Sequence, residues 1–94
     1  MTLLPSSDTD YFRWLAAHPS GYVLNTRRKF DGYYVLHRAS CVHISQQRVH
    51  RPGAYTEHRY IKVCSENKKE LVGWLRKKGC DLDEQEGTCR TCMH

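Results

Sequence analysis

No part of this 94-residue chain stays apolar for the roughly 18 residues that a membrane-spanning helix needs. The first residues, Met1 to Asp8, have neither the basic start nor the apolar stretch of a secretory signal. The expected compartment is therefore a reducing cytoplasm, with no membrane partner. Acids are scarce where bases are dense. Between Ser20 and Lys62 only Asp31 and Glu57 stand against Arg27, Arg28, Lys29, Arg38, Arg48, Arg51, Arg59 and Lys62. That segment carries a local charge of +6 in a chain whose total is +5, while the last 32 residues balance. With no paired acids among these bases, nothing there can hold catalytic magnesium, and no serine or cysteine nucleophile has an evident base. The expectation is a chain without catalytic activity.

Cysteine is present in an odd number, five. An odd count argues against a closed disulfide framework, and the expected reducing compartment against a disulfide-linked partner. In a reducing compartment such cysteines favour metal ligation or free thiols. Apolar residues are limited to 39%, and a domain this small is marginal on burial alone, so a metal is a useful supplement.

The pattern along the chain predicts an α+β fold, α-β-β-β-β-α, with two helices packed on one face of a small antiparallel sheet of three to four strands. A helix over 8–17 is capped by Ser7 or Asp8 and presents Tyr11, Phe12, Trp14 and Leu15 before Pro19 ends it. Strands are predicted over 21–26 and 33–38, joined by a turn in which Asp31-Gly32 supplies positive φ. Cys41 to Ile44 reads as a short third strand, and residues 45–58 as a polar loop broken by Pro52-Gly53. In the strand over 60–64, Ile61 and Val63 face the core while Lys62 faces out. Ser65 then caps a helix over 66–78 whose expected buried stripe is Leu71, Val72, Trp74 and Leu75, and Gly79 takes its left-handed exit. All of this forms a single domain over 1–94, with a core over 8–79. Residues 80–94 form a Cys-containing tail with almost no apolar residues, expected to be ordered only when it binds a metal.

Cys89-Arg90-Thr91-Cys92 has the C-x2-C spacing that lets two thiolates grip one tetrahedral zinc. Such a pair is half a site. The favoured completion is Cys41 with Cys80, which would pin the tail to the sheet as a structural zinc site, with Cys64, His37, His43 and His94 as alternative fourth ligands. Two other readings stay open: Cys41 and Cys64 as small buried residues beside a mobile tail, or a redox thiol pair. His37, at the end of a strand, reads first as a hydrogen-bonded structural residue, and His18 as a partner of the negative helix end.

The segments His18-Pro19-Ser20-Gly21-Tyr22-Val23-Leu24-Asn25, Tyr34-Val35-Leu36-His37-Arg38-Ala39-Ser40-Cys41 and Tyr60-Ile61-Lys62-Val63-Cys64 resemble the signature of a small bacterial domain family. The resemblance covers roughly residues 10–78, and some members also end in C-x2-C. That family occurs alone or beside nuclease-like or restriction-like parts and has no established biochemical role. The resemblance implies one compact domain and work near nucleic acid, and it carries over His18, Asn25, His37, Arg38 and Cys41 without assigning them a task. A second likeness, of Gly21-Tyr22-Val23 and Tyr33-Tyr34-Val35 to the paired motifs of GIY-YIG nucleases, lacks the glycine that Val35 replaces and the helical arginine. His18, Asn25 and His37 are too compressed for an HNH site.

Bases interleaved with aromatics suit a polyanion, because cations displace counterions from phosphates and exposed rings stack on unpaired bases. The expected partner is DNA or RNA, bound through Arg27, Arg28, Lys29, Arg38, Arg48, Arg51 and Arg59. The competing expectations are an accessory module whose basic face meets an acidic protein effector, and a degenerate nuclease-like domain.

Overall fold

The computed structural model describes residues 2–41, 44, 56, 60–83, 85–90 and 92. Among them are two helices, α1 (Asp8–Ala17) and α2 (Lys68–Lys77), and three strands, β1 (Tyr22–Arg27), β2 (Tyr34–Arg38) and β3 (Tyr60–Ser65). The sheet is antiparallel with order β2-β1-β3. Val23 sits between His37 and Cys64, and Leu24 between Leu36 and Val63. The α+β class and the hairpin are as the sequence predicts, and no helix among the described residues is long and apolar enough to cross a membrane.

Successive side chains on a strand point to opposite faces, and both faces of this sheet are covered. Tyr11, Trp14 and Leu15 of α1 pack with Val23, Cys64, Ala39, Cys41, Ile44 and Cys89. Leu71 and Leu75 of α2 pack with Leu24, Leu36 and Val63. The helices therefore lie on opposite faces, where the hydrophobic pattern suggested one. This alters the reading of Lys62. Its place in the period-two pattern points outward, yet it is only 4% exposed, because its face is the one that α1 covers. Its Nζ lies 6.0 Å from the ring centres of Tyr11 and Tyr60. Burial pulls its pKa down to about 8, against the opposing pull of Asp8.

The caps follow local chemistry. Ser7 Oγ accepts the N–H of Asp10 at the start of α1. At α2 the cap is Asn67 rather than Ser65: Asn67 Oδ1 accepts the Lys69 N–H at 2.8 Å. Ser65 ends β3, accepts the Asn67 N–H and donates to Glu70. Gly79 has φ +85°, and the bonds Gly79 N–H to Arg76 O and Cys80 N–H to Leu75 O close the left-handed exit expected of it. Gly32, at φ +95°, turns the hairpin as predicted. Gly21 is needed for space, since a Cβ there would meet Trp14 Cη2 at 2.7 Å.

Cys41 and Ile44 do not belong to a strand. The Ile44 N–H bonds to Cys41 O at 3.2 Å, three residues back, which is a turn or helical step. Of the polar loop that follows, Thr56 is described: Asp8 Oδ1 accepts both its N–H and its hydroxyl, at 2.9 and 2.7 Å.

The outer edges of the sheet are also occupied. Leu3 exchanges two backbone bonds with Cys64 on β3, and Thr88 forms a parallel bridge with Leu36 on β2. Edge groups left open would invite pairing with other chains.

Candidate metal centre

The parallel bridge on β2 brings the tail to the site. Tyr34 Oη accepts the Asp83 N–H and donates to Asp81 O, both at 2.8 Å. Asp83 Oδ1 then accepts the N–H groups of Gln85 and Glu86, and Asp83 O accepts that of Gly87. From this turn, Gly87 O accepts the Leu36 N–H, and the Cys89 N–H donates to Leu36 O, each at 2.8 Å. Cys89 thus runs beside His37. On the other side, the turn after β2 is set by Ala39 N–H to Gly21 O and Cys41 N–H to Arg38 O, and it swings Cys41 under α1.

His37, Cys41, Cys89 and Cys92 consequently converge. Their ligand atoms all lie within 4.8 Å of one another, with the first three buried. Cys41 Sγ and Cys89 Sγ are 3.8 Å apart. Two sulfurs at about 2.3 Å from a tetrahedral ion would stand about 3.8 Å apart, so this pair already has the spacing such an ion requires. Cys92 Sγ accepts the backbone N–H of Arg38 at 3.2 Å, a contact that orients the sulfur. The four residues lie close enough to bind a metal ion.

No family model, curated protein or solved structure matches this chain.

Of the four cysteines expected at a metal, three meet. Cys80 does not join them: it follows α2 and packs with the Leu24, Leu36 and Val63 cluster, on the far face of the sheet. The fourth member of the cluster is His37, whose place at the end of a strand favours a structural role on sequence alone. The signal was there in His37-x3-Cys41, a spacing that becomes meaningful only once a second ligand pair is known to dock beside it. Cys64 is buried in the core, where desolvation pushes its thiol up to about 12, so it stays protonated. His43 and His94 lie outside the described residues. His18 is tied to the end of α1 as expected: Nδ1 contacts Trp14 O at 3.0 Å, the ring stacks on Trp14, and Nε2 lies 3.4 Å from Glu66.

The bases divide into two places. Arg27, Arg28 and Lys29 occupy the hairpin tip. Arg27 pairs with Asp31 at 2.6 Å, and its guanidinium sits 4.6 Å from the centre of the Tyr33 ring. The bond to Asp31, with a second to Tyr60, raises the arginine's pKa, while Asp31 is lowered by Arg27 and by the Tyr33 N–H. Arg28 donates to Thr56 O, and Lys29 is exposed. Arg38 pairs across from Tyr22, five residues from Arg27, or about 16 Å along the strand. Its Nε donates to Cys92 O at 2.9 Å, which ties it to the metal-site tail. Arg48, Arg51 and Arg59 lie outside the described residues.

Proposed function

We propose that this chain is a small non-catalytic module that binds nucleic acid and is held together by a structural zinc ion on His37, Cys41, Cys89 and Cys92. The observation that carries the metal is the convergence of one imidazole and three thiols drawn from β2, the turn after it and the tail. Soft thiolates with one imidazole suit zinc, and four protein ligands complete a tetrahedron without an open position for water or substrate. The metal's work is then to fasten the tail, through Gly87, Thr88 and Cys89, along β2.

The nucleic-acid part of the reading rests on charge. The hairpin tip presents Arg28 and Lys29 to solvent, and the excess of bases is confined to the middle of the chain. Such a surface favours a polyanion over a small substrate.

Two measurements test this together. Protein purified without chelator should carry one zinc per chain, measured by elemental mass spectrometry. It should bind short DNA or RNA with an affinity that falls steeply as salt rises, since each neutralised phosphate releases a counterion. Protein free of metal as purified, and unable to take zinc up with loss of free thiols, would remove the first half. No binding at low ionic strength, where the basic surface is least screened, would remove the second and leave the acidic-protein reading in its place.

A further inference from the structure

On the α2 face, away from the cysteine cluster, the hairpin tip folds back over the helix and leaves a recess of about 370 Å³. Arg27, Arg28 and Lys78 contribute its charge, and Phe30, Trp74 and Ile61 its apolar wall. No acid lines it among the described residues. Phe30 meets Trp74 edge to face at 6.0 Å, and Lys78 Nζ lies 5.4 Å from the centre of the Trp74 ring. An adjoining depression of about 300 Å³ shares Arg27 and Phe30 and adds Lys29 and Asp31. Phe30 therefore divides two neighbouring hollows that have bases on both sides.

This arrangement selects among polyanions. A duplex keeps its base faces stacked inside and offers only phosphates and groove edges, which a flat basic patch serves as well. An unpaired strand offers alternating phosphates and free base faces. Those match a recess in which cations alternate with aromatic side chains. Its volume is at the small end for ligand pockets, suited to a single nucleotide unit rather than a helix.

We infer that the recess between the hairpin tip and α2 binds single-stranded nucleic acid, with a base lodged against Trp74 and Phe30 and the flanking phosphates on Arg28, Lys29 and Lys78. The inference deepens, and rests on, the nucleic-acid reading above; it is independent of the zinc.

Trp74 supplies the readout. The other tryptophan, Trp14, lies on the opposite face and is 9% exposed, so a Trp14→Phe protein reports on Trp74 alone. Should that variant fail to fold, the difference between the unaltered protein and Trp74→Phe gives the same signal. The holoprotein is titrated with a short oligothymidylate, with the same strand in duplex form, and with polyglutamate. Oligothymidylate should quench Trp74, bind more tightly than the duplex, and weaken with salt. Phe30→Ala should weaken it roughly 5- to 100-fold, the usual effect of losing one stacking partner. Lys78→Gln should flatten the salt slope by about 0.7, the value for one phosphate on a single strand. Equal or tighter duplex binding without quenching overturns the recess while leaving the nucleic-acid reading standing. Failure of both nucleic acids overturns both. Polyglutamate that binds and quenches as strongly as the oligonucleotide assigns the recess to an acidic protein segment instead.

Discussion

Arg38 holds Cys92 at two points: its backbone N–H donates to the sulfur at 3.2 Å, and its side-chain Nε donates to the carbonyl at 2.9 Å. A residue that composition alone would assign to a phosphate thus supports a member of the proposed metal site. Arg38→Ala keeps the first bond and loses the second. Loss of such a supporting contact commonly weakens metal binding 10- to 100-fold. The lower end of about tenfold is expected here, measured by competition with a zinc-sensitive chelator dye. An unchanged affinity would show that the side chain does not support the site.

The ligand set separates by single substitutions. Cys89→Ser or His37→Ala should abolish stoichiometric zinc and speed amide exchange at Thr88 and Cys89, whose segment bridges to Leu36. Cys80→Ser, on the far face of the sheet, should keep the full complement of metal. Zinc lost from Cys80→Ser and retained by His37→Ala would restore the all-cysteine site.

Gly87 tests the path of the tail. A Cβ there would meet the Tyr34 ring and come within 2.8 Å of Asp83 O, so Gly87→Ala must shift the tail away from β2. Overpacking of this kind typically costs about 1–3 kcal/mol. A lower thermal midpoint together with weaker zinc binding is expected. A variant as stable as the parent would mean that the tail tolerates another route.

Lys62 makes stability depend on pH in a recognisable way. Its folded pKa is about 8, below the ordinary 10.5. Between those values the unfolded chain holds a proton that the folded chain has lost, so stability must rise with pH. The gain is complete above 10.5 and is lost as pH falls through 8. Cys64 acts oppositely: its thiol rises from 9.0 to about 12, so folding is disfavoured as pH climbs above 9. Urea denaturation should therefore show a rise between pH 8 and 9, at most about 1.4 kcal/mol for one proton, and a flattening beyond. Lys62→Met should remove the rise and be at least as stable at pH 7, since a buried charge is often replaced by an apolar side chain without loss. A rise that survives in Lys62→Met would assign it to another group.

The local features were legible in sequence because they depend on local chemistry. The boundaries of α1, the Asp31-Gly32 turn and the Gly79 exit all follow from caps, periodicity and backbone freedom within a few residues. The C-x2-C spacing singled out Cys89 and Cys92, and the structure brings both into the cluster with His37 and Cys41. Which residues complete the site was decided by the tertiary structure. His37 and Cys89 are far apart in the chain, and they meet because Leu36 exposes its edge N–H and C=O to the tail. The same holds for Lys62 and for the side of the sheet each helix takes. A strand's alternation marks two faces without saying whether one or both will be covered. That depends on where α1 and the tail dock, a matter of long-range packing that period-two patterning does not encode.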